Sequence, residues 1–79
     1  MLVSEICELA ERGRTDVEIL DGKEEYVYAP RGFAMVWEIR KRAGFLREKK
    51  ISEEEKIRIM GKEVWSVSTD KSRTITVSV

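Results

Sequence analysis

A chain of 79 residues that balances 15 Lys and Arg against 15 Asp and Glu, with no His, Asn or Gln, excludes much chemistry before any fold is considered. Without imidazole no Ser-His or Cys-His pair and no histidine metal cluster can be built, and without side-chain amides the bidentate fork that reads adenine is missing. The zero net charge conceals a segregation: residues 1–30 carry three basic against eight acidic side chains, residues 31–50 carry seven against two, and the remainder five of each.

This length implies one domain over residues 1–79, close to the size at which a single core only just suffices. A hydrophobic content of 42% is too high for wholesale disorder, and no apolar run approaches the roughly 20 residues of a membrane span. Ser4 and Glu5 follow Met1, Leu2 and Val3 with no basic leader, so a signal peptide is not expected and a cytoplasmic location is. Missing amides beside abundant Glu and Lys match the composition of thermophilic proteins.

Val3, Ile6, Cys7 and Ala10 fall at i, i+3, i+4 and i+7, with Leu2 and Leu9 widening the stripe, which predicts an amphipathic helix ended by Gly13. Cys7 lies in that stripe and is expected to be a buried packing thiol; as the only cysteine it can form no intramolecular disulfide or CxxC site. Residues 17–20 and 25–29 flank Asp21-Gly22, a dipeptide suited to a two-residue hairpin turn. The implied register pairs Leu20 with Lys23, Val17 with Tyr26 and Ile19 with Glu24. It gathers Val17, Ile19, Tyr26 and Tyr28 on one face and sets Glu18 against Glu25, an unfavourable like-charge pair.

After Pro30-Arg31-Gly32, residues 33–43 read as a second helix closed by Gly44, with Phe45 placed to contact Ile39. Phe33, Met35, Val36, Trp37, Ile39 and Ala43 would cover roughly 200° of its circumference, more than a surface helix needs. Such a helix would be central or shared between subunits. A basic connector, residues 45–51, leads to Ser52 and Glu55, whose spacing is that of a capping box and predicts a short third helix to Met60. The alternation of Ile57 and Ile59 about Arg58 keeps a strand as the alternative.

The last segment is the plainest strand signal: Trp65, Val67, Ile75, Val77 and Val79 alternate with Ser66, Ser68, Thr74, Thr76 and Ser78. A three-residue loop, Asp70-Lys71-Ser72, would place one apolar face on a core and one hydroxyl face in water. If the final strand is an edge, its free backbone groups offer a surface for self-association.

The expected fold is therefore α+β: two helices packed on an antiparallel sheet made of two β-hairpins, with a short third helix. The same element order admits a winged-helix-like alternative with residues 63–79 as the wing. Catalysis is not expected, since Glu24-Glu25 point to opposite faces of a strand and Glu53-Glu54-Glu55 suit a helix N-terminus better than an acid/base couple. No glycine-rich phosphate loop occurs, and no metal, cofactor or small-molecule substrate is implied.

A binding role follows, for which Arg40, Lys41, Arg42, Arg47, Lys49 and Lys50 form the candidate nucleic-acid surface. Contacts would go to backbone or shape, because the amide fork is missing. A sequence pI near 6.3 weighs against this reading, since such domains are usually basic. The alternative is a homodimeric or accessory protein-interaction module that touches no nucleic acid.

Overall fold

The computed structural model describes residues 1–22, 24–29, 32–37, 47–69 and 73–79. Their order is helix α1 (Val3–Gly13), strands β1 (Val17–Asp21), β2 (Glu24–Ala29), β3 (Gly32–Trp37) and β4 (Arg47–Lys49), helix α2 (Glu53–Met60), and strands β5 (Ser66–Thr69) and β6 (Ile75–Ser78). The six strands form one sheet in the order β4-β3-β2-β1-β6-β5. Neighbours pair antiparallel except β1 and β6, which run parallel. The fold is α+β, but the sheet is mixed, not the purely antiparallel pair of hairpins expected.

α1 forms on the expected stripe: Val3, Ile6, Cys7 and Ala10 are its buried residues. Glu5 accepts the Leu2 backbone N–H at 2.8 Å at its N-terminus, and Arg14 closes the other end in the left-handed region (φ 52°), one residue beyond Gly13. In the sheet, register puts Val17, Ile19, Tyr26, Tyr28, Ile75 and Val77 on one face. All but the half-buried Ile75 belong to the buried core, together with the α1 stripe and Ile59 of α2. Both helices thus cover the same face, while Glu18, Leu20, Val27, Thr76 and Ser78 lie on the other, half-buried.

The largest departure from expectation is β3. Residues 33–37 form a strand where a helix was expected; residues 38–44 and Phe45 lie outside the described residues. Phe-Ala-Met-Val-Trp is a five-residue apolar run, which a helix stripe and a doubly flanked strand fit equally well. Position decides it: β3 pairs in register with β2 on one side and with β4 on the other. Gly32 opens the strand at φ 125°, a conformation open only to glycine, and pairs with Ala29 across a two-residue connection. With residues 33–37 in a strand, the described residues do not follow the helix, hairpin, helix, helix, hairpin order of a winged helix.

Two registers also differ from expectation, each by two residues. Asp21 pairs with Glu24, so Gly22-Lys23 makes the first loop, with Gly22 at φ 60°. A two-residue slip preserves which face each side chain occupies, so the apolar set is unchanged. It also separates the like charges, setting Glu18 beside Val27 and Glu25 beside Leu20. Asp21 is drawn onto the strand end, where Lys62 Nζ reaches it at 2.8 Å. In the C-terminal hairpin Thr69 pairs with Ile75, giving a five-residue connection in place of three.

Residues 53–60 are helical. Ser52 Oγ accepts the Glu55 N–H at 3.2 Å, and Gly61 ends the helix. With 33–37 in a strand, this is the second of the two helices among the described residues, not a third. It carries the chain over the helix-covered face from β4 at one rim to β5 at the other. An isolated bridge between Leu2 and Glu63 ties its exit to the start of α1. β6 is internal, flanked by β1 and β5, so the expected terminal edge is replaced by β5. No helix among the described residues is long and apolar enough to cross a membrane.

Candidate functional site

The sheet has two rims of opposite character. β4 at one rim is Arg47-Glu48-Lys49, followed by exposed Lys50. Three of the six candidate phosphate-binding residues therefore lie at or beside this rim; Arg40, Lys41 and Arg42 lie outside the described residues.

β5 at the other rim is Ser66-Val67-Ser68-Thr69, uncharged and exposed along its whole length. Val67 pairs with buried Val77 and so shares the helix-covered face, yet it is 52% exposed. Trp65 immediately precedes the strand and is 77% exposed. Both were expected to pack on the core. Instead they form an apolar fringe beside backbone groups on the outer side of β5, where no strand among the described residues pairs. An uncharged exposed edge lacks the Lys, Pro or bulge that usually blocks pairing with another chain.

No family model, curated protein or solved structure matches this chain. The functional reading therefore rests on the geometry of this molecule.

A second polar feature was not foreseen from the sequence. Tyr26 is fully buried, and its hydroxyl ends among Glu24, Glu55 and Arg58. It lies within hydrogen-bonding distance of the Glu24 carboxylate and 3.0 Å from Glu55 Oε1, and it accepts from Arg58 at 3.1 Å. Arg58 also donates to Glu55 at 3.2 Å and to Asp21 at 3.5 Å, and Lys62 completes the chain of contacts at Asp21.

Each shift in proton affinity has a physical cause. Burial and then the adjacent Glu24 and Glu55 carboxylates push the Tyr26 phenol well above its ordinary value. The hydrogen bond from Lys62 leads the effects that lower the Asp21 carboxyl, with Arg58 adding to it. Glu55 leads those that raise the Arg58 guanidinium. The network joins β1, β2, α2 and Lys62 two residues beyond it, so it locks the crossover helix to the sheet. Ser52 and Glu55 were legible as a cap, but not that the Glu55 carboxylate would meet a tyrosine from β2.

Tyr28 makes the corresponding link to α1, its hydroxyl donating to Glu11 while its ring lies 4.9 Å from that of Phe33. Cys7 is buried, and desolvation, reinforced by Glu11, pushes its thiol up to about 12, so at neutral pH it stays protonated and packs as a small apolar side chain. Among the described residues no group of three His, Cys, Asp or Glu is placed to hold a metal ion.

Proposed function

We propose that this protein is a small non-catalytic interaction module that self-associates through β5. The observation that carries the reading is an uncharged rim strand exposed along its whole length, with Trp65 before it and Val67 within it. Two copies meeting antiparallel about a two-fold axis would extend the sheet by hydrogen bonding through both β5 strands. Charge favours this pairing over others: Ser-Val-Ser-Thr meets itself without repulsion, whereas the Arg-Glu-Lys rim carries the charges that keep edges apart. Burying Trp65 and Val67 against their symmetry mates supplies the apolar contribution. A cytoplasmic setting belongs to the same proposal.

Sedimentation velocity across a concentration series tests it. The expected result is a concentration-dependent dimer that Val67→Lys converts to a monomer with unchanged circular dichroism. A wild-type protein that sediments as a monomer at millimolar concentration overturns the reading.

A second reading, nucleic-acid association through Arg40, Lys41, Arg42, Arg47, Lys49 and Lys50, is favoured by the placement of Arg47 and Lys49 on the β4 rim beside exposed Lys50. It requires binding of labelled DNA or RNA that weakens steeply with salt, and no binding at low salt removes it.

A further inference from the structure

At the end of the sheet where parallel strands β1 and β6 both begin, a cleft of about 200 Å³ is lined by Gly13, Arg14, Thr15, Asp16, Arg73 and Thr74. We infer that this cleft is a binding site for a phosphate group, held by the guanidinium groups of Arg14 and Arg73. It is separate from the β5 rim and does not depend on self-association.

Three observations converge here. Arg14 (φ 52°) and Arg73 (φ 66°) are the non-glycine residues with positive φ among the described residues, and both line this cleft. That conformation is disfavoured for any residue with a Cβ, and such strain clusters at functional sites. At the end of α1 the arrangement runs against the fold's own interest. The left-handed position that closes a helix is ordinarily a glycine's, yet the glycine sits one residue earlier, at Gly13. Gly13 has its own reason to be there, because a Cβ would come within 3.3 Å of Thr15 Oγ1. Arg14 is thus placed where the backbone favours another residue.

Charge and hydrogen bonding complete the case. Both arginines are exposed, and neither makes an ion pair among the described residues, in contrast to Arg58 and Lys62. Among the described lining residues, two guanidinium groups stand against the one carboxylate of Asp16, a positive excess. At the helix C-terminus two of the last carbonyls are engaged: the Arg14 N–H donates to Glu11 O at 3.2 Å and the Thr15 N–H to Ala10 O at 2.9 Å. The Ile75 N–H bonds Asp16 O at 2.9 Å, fixing the two sides of the cleft relative to one another. Paired guanidinium forks match the oxygens of a phosphate, which can come free or as the terminal group of a larger molecule.

The test is an amide NMR titration with inorganic phosphate, a simple phosphate monoester and sodium chloride at matched ionic strength, on the wild type and on Arg14→Gly and Arg73→Gly. Saturable shifts confined to residues 13–16 and 73–75 are expected with phosphate and absent with chloride. Tighter binding of the monoester identifies a carried phosphate as the ligand, and tighter binding of inorganic phosphate identifies the free anion. Each glycine variant should lose the response while its melting temperature rises, so loss of binding cannot be mistaken for unfolding. Shifts no larger than those with chloride overturn the inference, as does either glycine variant melting below the wild type.

Discussion

The hydroxyl of Tyr26 makes a pH signature out of a core residue. Its ring is buried with Val17 and Ile19, but its oxygen contacts two carboxylates, so ionisation is resisted in the folded state by desolvation and by negative charge. In the unfolded chain the phenol titrates at its ordinary value of 10.0. A raised folded-state value means that the stabilisation is complete below pH 10 and falls away as pH climbs above it, since the unfolded chain releases its proton first. Tyr26→Phe should therefore flatten the alkaline limb of a stability profile followed by chemical denaturation. A wild-type limb that matches the variant's would count against the network. The buried faces of such residues were legible from alternation alone, because burial follows the two-residue period of a strand. The destination of the hydroxyl was not, because Glu55 and Arg58 come from 29 and 32 positions away.

At the level of elements, α2 is the least self-sufficient piece. It has eight residues, begins with three glutamates that suit its N-terminal dipole, and contributes a single fully buried side chain, Ile59. Ile59→Ala should cost about 2–4 kcal/mol, with the loss of packing at the one point where the crossover helix enters the core. Denaturant unfolding checks this, and a change under about 1 kcal/mol would mean that the Tyr26 network, not Ile59, holds the helix. The helix itself was legible from Ser52 and Glu55, where a local cap decides the outcome. β3 was not, because a short apolar run carries no period of its own, and its state is settled by β2 beside it. The two hairpin registers sit between these cases. Turn residues located the bends, but tertiary contacts such as Asp21 with Lys62 chose which residues stood opposite.

For the molecule as a whole, marginal size and an open rim point the same way. The Cα radius of gyration, 11.7 Å, matches the roughly 11.6 Å expected for a folded domain of this length, so compactness is reached without a partner. Stability need not be. A dimer through β5 makes the melting temperature rise with protein concentration, a dependence that Val67→Lys should abolish. The missing His, Asn and Gln removed families of chemistry from consideration, and the charge blocks indicated where to look. Neither could show that the uncharged strand would end at the rim, since that follows from β6 inserting beside β1.

That insertion also governs how the molecule must assemble. β1, β2 and β3 pair with their sequence neighbours, and β5 pairs with β6, so each half of the sheet can form from contacts close along the chain. The parallel seam between β1 and β6 is different, because Val17 must find Ile75 across most of the sequence. Chain entropy is spent on closing that loop before any seam contact rewards it. Two quickly formed pieces joined along one slow seam is the kinetic architecture this topology imposes, and until the seam closes β6 is itself an exposed strand.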